Sequence, residues 1–223
     1  VEAQTRIEVC SKCQKVPALC LCSIIKPLQN RLPVLILQHP QEPDKELGTA
    51  RIANLALENS LLKVGLSWQN LAKALGEPVS GLPSEWLVLF LGTKSNNQKL
   101  PEKVQRDTVV VFNKKGEIHA EQAEVLRSIR GIVVLDGNWA QAKTMWWRNP
   151  WLLKLRRGIV IPRSKSLYGS LRKEPRSECL STIEAIGATL TGLGENPLIQ
   201  EELNKLFAAL LQKVRENSSP KTP

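Results

Sequence analysis

Strand-like and helix-like segments alternate along the 223 residues, which predicts an α/β fold with a mostly parallel sheet and helices on both faces. Three observations carry that prediction. Runs at 33–37, 86–91, 108–112 and 132–135 are short and nearly all apolar, the last rich in β-branched residues, as strands buried on both faces read. Polar turns follow them. The segments 181–190 and 199–214 instead repeat apolar residues three or four apart, the period of a helix burying one face.

The chain opens with Cys10-x-x-Cys13, six residues, then Cys20-x-Cys22. Four thiols within thirteen positions fit a disulfide framework or one tetrahedral metal site. Nothing else in the chain looks secreted, which favours the metal. Thiolates are soft ligands for Zn²⁺, and four of them close its coordination sphere, so the expected ion is structural. Cys179 stands alone and reads as a small buried hydrophobe.

The strand at 33–37 runs into Gln38-His39-Pro40-Gln41-Glu42. Thr49 then reads as the cap of a helix carrying Ile52, Leu55, Ala56 and Leu62 at helical spacing. A strand at 86–91 ends in Gly92-Thr93, and the strand at 108–112 leads through a turn at 113–116 to an amphipathic helix with Ala120, Ala123, Leu126 and Ile129. Residues 132–135 lie between Gly131 and Gly137, which sets Asp136 at a carboxyl edge. Asn138 and Gln141 have capping-box spacing, and the helix they open meets no breaker before Asn149-Pro150. A short strand follows at 158–161. Ser181 and Glu184 form a second capping box, and Ile199, Leu203, Leu206, Phe207, Leu210 and Val214 share one face of the last helix. The expected organisation is a zinc-binding segment at 1–30, an α/β domain at 31–215 and a disordered tail at 216–223.

The formal net charge is +10, and it is concentrated: residues 140–180 hold ten Lys or Arg against Glu174 and Glu178. A basic field beside a polar strand-end turn suits a polyanionic partner. No apolar run approaches the roughly 20 residues of a membrane span and no signal-peptide pattern begins at Val1, so the expectation is a cytoplasmic protein without membrane attachment. No obligate protein partner is expected.

Several enzyme classes lack their motifs. No G-x-G-x-x-G follows a strand, Gly192-Leu-Gly194 ends a helix, and there is no P-loop, G-x-S-x-G or His pair for catalytic zinc. The remaining candidates are strand-end loops offering backbone amides and a few oxygens, which suit a small zwitterionic ligand better than a triphosphate.

Taken in order, Cys10-x-x-Cys13-x6-Cys20-x-Cys22, Gln38-His39-Pro40-x-Glu42, Thr49-Ala50-Arg51, Leu135-Asp136-Gly137-x-Trp139 with Ala142-Lys143, Arg148-Asn149-Pro150 and Leu180-Ser181-Thr182-Ile183-Glu184-Ala185 resemble the DTW-domain family. The resemblance runs from about residue 10 to 211. It implies a tRNA-uridine aminocarboxypropyltransferase that moves the 3-amino-3-carboxypropyl group of S-adenosylmethionine to the ring imide nitrogen of a uridine, releasing methylthioadenosine. It also implies a SPOUT-like fold whose C-terminal segment forms a trefoil knot, which composition could not have suggested. On the same resemblance Phe90, Leu91, Gly92, Leu135, Gly137, Asn138, Trp139, Leu171, Arg172, Ser181 and Thr182 would bind the cofactor. Asn138 replaces the name-giving Thr, Leu91-Gly92-Thr93 replaces a Pro-containing turn, and Cys179 stands where Gly is common.

The uridine imide attacks poorly until it loses its proton, so a base or orienting group is wanted. Asp136 is the first candidate for either role and His39 the second. Arg51, Lys143, Arg148 and Arg176, with Arg172, would contact phosphates, and Trp147 would offer a stacking surface. The alternatives are an RNA methyltransferase using the same cofactor and a zinc-containing RNA-binding protein without turnover.

Overall fold

The structure is a computed structural model that describes residues 8–43, 45–79, 81–89, 107–169 and 180–218. Its sheet comprises β1 (Val34–Gln38), β2 (Ser60–Val64), β3 (Trp86–Leu89), β4 (Thr108–Phe112), β5 (Gly131–Asp136) and β6 (Arg156–Ile161), in the order β2-β1-β5-β3-β6-β4. Among the described residues every strand pairing is parallel except β4 against β6. The expected mostly parallel α/β architecture is therefore present, with one antiparallel strand at its edge.

Among the described residues six α-helices cover the sheet: α1 (Ala50–Ala56), α2 (Leu71–Leu75), α3 (Gln122–Ser128), α4 (Trp139–Arg148), α5 (Thr182–Gly192) and α6 (Pro197–Ser218). Because side chains alternate along a strand, β1 sends Val34 and Ile36 to one face and Leu35 and Leu37 to the other. The first face packs against α1, α3, α5 and α6, with Ile186, Leu203 and Phe207 fully buried there. Each such side chain contributes roughly 1.5–3 kcal/mol by leaving water. The second face is covered by Leu71 and Ala74 of α2, by Trp151 and Leu152 of a 3-10 turn at Pro150–Lys154, and by the half-buried Trp146 of α4.

Three differences from the sequence reading have local causes. The helix behind Thr49 stops at Ala56 instead of continuing to Leu62, and 60–64 form β2. Asn30 ends it: its amide donates to the Asn59 carbonyl at 2.9 Å and its oxygen accepts from the Asn59 amide at 3.0 Å, while Ser60 Oγ returns to the Leu57 carbonyl at 2.9 Å. Helix α2, not foreseen, is capped by Asn70, which accepts from the Lys73 amide, and closed by Gly76 at φ 86°. Finally, α6 continues through residues 216–218, expected to be disordered, and Asn217 there donates back to the Lys213 carbonyl at 2.7 Å.

The cysteine segment is tied into this core. Leu19 and Leu21, beside its second cysteine pair, are buried with Leu32 and Val34, and Lys213 of α6 reaches the Ala18 carbonyl at 3.2 Å. Among the described residues no helix is long and apolar enough to cross a membrane.

Candidate functional site

Parallel pairing of β1 with β5 puts Gln38 opposite Asp136 at the carboxyl edge of the sheet. Both are almost fully buried. Gln38 Nε2 donates to Asp136 Oδ2 at 2.8 Å, and Thr182 Oγ1, at the first position of α5, donates to Asp136 Oδ1. The His39 amide donates to the Asp136 carbonyl at 2.9 Å. The aspartate side chain thus bridges a strand end and a helix start, held by groups remote in sequence. Gln38 Oε1 is buried with no hydrogen-bond partner among the described residues.

The turn after β5 is built as its sequence predicts. Asn138 Oδ1 accepts from the Gln141 amide at 3.0 Å, and Gln141 Oε1 accepts from the Asn138 amide at 2.7 Å. Asn in the third signature position therefore completes the capping box. Gly137 is required by close approach: a Cβ there would lie 2.9 Å from Gln141 Cβ and 3.5 Å from His39 Cβ. Gln141 also donates to Gln41 at 3.3 Å, joining the turn to the loop after β1, where His39 Nδ1 accepts from the Gln41 amide at 3.3 Å. Trp139, 40% exposed, starts α4 at the rim.

The start of α5 carries the expected capping box. Ser181 is buried, and its amide and hydroxyl both donate to Glu184 Oε2, at 2.9 and 2.7 Å. Both donors are thus engaged in the capping box that opens α5. Glu184 also receives Ser166 Oγ at 2.7 Å and the Leu167 amide at 2.8 Å, which ties the segment after β6 to α5. Thr49 supplies no cap to its own helix; its Oγ1 accepts from the Ile183 amide at 3.2 Å, locking α1 to α5.

Gln38, His39, Asp136, Gly137, Ser181 and Thr182 are therefore gathered at one sheet edge, with Leu135, Asn138 and Trp139 on the adjoining strand and helix and Arg51, half-buried, in the first turn of α1. Phe90, Leu91, Gly92, Leu171, Arg172, Arg176 and Cys179 lie outside the described residues. Sequence reasoning did not assign Gln38, Thr49 or Glu184 to the site, because their roles depend on which strands and helices become neighbours. An open hollow lined by Asn30, Arg31, Glu58, Asn59 and Glu195 lies at the opposite, amino-terminal edge and has no part in this constellation.

The basic surface divides into two groups. Lys143, Trp147 and Arg148 are exposed on α4, with Trp147 at 71% exposure. Arg157 instead donates to the Asn113 and Lys114 carbonyls at 2.7 and 2.9 Å, and Arg156 to the Ser84 carbonyl at 3.3 Å. These two hold loops together.

The four cysteine sulfurs of Cys10, Cys13, Cys20 and Cys22 lie within 4.8 Å of one another. The Cys10–Cys22 and Cys13–Cys20 separations are 3.7 and 3.6 Å. A tetrahedron with Zn–S bonds of about 2.3 Å has edges of about 3.8 Å, so the donor set and its spacing fit a metal ion. Backbone amides of Cys13 and Lys12 hold the Cys10 thiol down at about 6, whereas burial and the neighbouring thiols push Cys22 up to about 12. A divalent cation at the centre would let all four ionise. Gln14, at φ 56°, makes the left-handed turn that brings the Lys15 carbonyl to the Cys10 amide at 2.8 Å.

Comparison with known proteins gives a consistent picture. The family model described as DTW domain matches residues 7–215. Curated relatives include tRNA-uridine aminocarboxypropyltransferase 2 of Macaca fascicularis, 27% identical over 94% of this chain and 64% of its own. The protein of the same name in Drosophila melanogaster is 24% identical over 94% of this chain and 76% of its own. The tRNA-uridine aminocarboxypropyltransferase A of Arabidopsis thaliana is 24% identical over 97% of this chain and 83% of its own. The chain thus spans about 64% of the length of the macaque and mouse relatives. No solved structure matches it.

Proposed function

Because the chain belongs to the DTW-domain family, we propose that it moves the 3-amino-3-carboxypropyl group of S-adenosylmethionine to the ring imide nitrogen of a tRNA uridine. The observation that carries this reading is the clamp on Asp136, set where β5 ends and α5 begins. Ligands of open α/β sheets bind at such strand ends.

The residues fit the cofactor's charge. A buried carboxylate beside an orphaned acceptor, Gln38 Oε1, suits a ligand bearing sulfonium and ammonium groups. When bound, S-adenosylmethionine supplies an alkyl group activated by its positive sulfur, and methylthioadenosine is what remains. The turn from Leu135 to Trp139 and the start of α5 at Thr182 would orient it, together with Phe90, Leu91, Gly92, Leu171 and Arg172. Gln38 and Thr182 each occupy one lone-pair site of an Asp136 oxygen, which leaves acceptor capacity for the imide proton. Asp136 is thereby a base or orienter held at fixed position, with His39 as the second candidate. Methyl transfer is the easier reaction of a sulfonium, so the rate advantage for the larger group must come from positioning.

Lys143, Arg148, Arg51, Arg176 and the exposed Trp147 form the tRNA-facing side in this reading, and the four cysteines hold structural zinc. A thiolate site suits a reducing compartment, which supports a cytoplasmic location. The finer fold assignment, SPOUT-like with a knotted C-terminal segment, rests on membership of the family.

Mass spectrometry of tRNA incubated with protein and S-adenosylmethionine tests the reading. The expected result is a uridine heavier by one aminocarboxypropyl group, with methylthioadenosine released; adenosylhomocysteine as by-product would replace it with methyl transfer. Asp136→Ala is expected to abolish transfer while leaving fold and metal content intact, and full activity in that variant would remove Asp136 from the mechanism.

A further inference from the structure

Lys15 is a lysine buried to 6% exposure two residues beyond a cysteine ligand. Its ammonium donates to the carbonyls of Lys45 and Glu46, the latter at 2.8 Å. Those carbonyls belong to the loop between His39 and α1. A Cβ on Gly48 would stand 3.1 Å from the Lys45 carbonyl and 3.6 Å from Lys15 Nζ, so the loop is drawn tightly over the ammonium. The next residue is Thr49, which receives the Ile183 amide at the start of α5, and the residue before Ile183 is Thr182, which donates to Asp136. On the other side, Cys13 is buried, and the Lys15 carbonyl receives the Cys10 amide.

A buried ammonium is costly to desolvate and is retained where its donors are used. Here they hold one loop, and that loop is a continuous mechanical path from the cysteine cluster to the candidate aspartate. We propose that Lys15 is a positioning residue for the transfer reaction: metal binding by the four cysteines fixes Lys15, which pins residues 45–49 and so sets the start of α5 against Asp136. This assignment rests on the proposed aminocarboxypropyl transfer, and it gives the cysteine cluster a part in the chemistry beyond holding a structural ion.

The test compares the wild-type chain, Lys15→Met and Lys15→Arg, reading metal content, tRNA affinity, kcat and amide hydrogen exchange. In Lys15→Met, metal content and tRNA Kd are expected to stay at wild-type values. Exchange at Gly48 and Ile183 should rise against unchanged β5 amides, and kcat should fall roughly ten- to a hundredfold, the cost of a small misplacement of reacting groups. Lys15→Arg, which keeps charge and donors, should recover part of the protection and of kcat. Removing the metal from the wild-type chain with a chelator should raise exchange at the same two amides, a readout that does not depend on the variants folding. Wild-type exchange at Gly48 and Ile183 after metal removal, or a Lys15→Met defect confined to tRNA Kd, would overturn the proposal. A wild-type protein that transfers nothing to tRNA would defeat the functional reading alone, because the exchange measurements would still decide whether the coupling exists.

Discussion

Asn149 has no exposed surface, and both ends of its amide are engaged. Its oxygen accepts from the Trp68 amide at 2.8 Å and Trp151 Nε1 at 3.2 Å, and its nitrogen donates to the Leu66 and Met145 carbonyls at 3.0 and 2.7 Å. One side chain thus joins the end of α4, the 3-10 turn and the loop after β2. Asn149→Ala leaves those buried partners unmet, and at about 1–3 kcal/mol for each unsatisfied group the variant should lose roughly 3 kcal/mol or more in urea unfolding. From sequence the same residue reads only as a helix breaker before proline. Gly137 and the Asn138 capping box were legible because their geometry is set within four residues. The long-range partners of Asn149, Gln38 and Thr49 were not, since these lie some 80 to 130 positions away.

Among the elements, α4 separates its two jobs by face. Ala142 and Met145 are buried, while Lys143, Trp147 and Arg148 face solvent. Trp147→Ala should leave the unfolding midpoint nearly unchanged, because an exposed side chain adds little to the core. If bases stack on it, tRNA affinity should drop about five- to a hundredfold, the equivalent of roughly 1–3 kcal/mol, in an equilibrium binding titration. Elements whose period is carried by their own residues, such as β5, α5 and α6, could be read directly from the sequence. β2 and α2 could not: α1 stops where Asn30 pairs with Asn59, and no local pattern at 57–60 overrides the helical spacing of Leu62.

For the whole molecule, the net charge of +10 makes salt the natural probe. Counting Lys143, Arg148, Lys154, Arg163 and Lys165 as exposed cations, tRNA binding should weaken roughly a hundredfold between about 50 and 200 mM salt. Arg157→Gln should not change that slope, because its guanidinium already holds two carbonyls; it should instead lower stability. The predicted architecture was right in kind, but strand order, the antiparallel placement of β4 and the neighbours of Asp136 are long-range choices that hydrophobic patterning does not encode.

That order has a consequence for synthesis on the ribosome. β1 can pair with β2 as soon as both emerge, but its other neighbour, β5, begins about a hundred residues later. Until then an apolar ribbon, Val34 to Leu37, has one open edge in the nascent chain, and such edges recruit stray strands. Chaperone capture during translation should therefore peak before residue 131 leaves the exit tunnel and fall once β5 has inserted, a profile that ribosome-stalled chains of graded length would record.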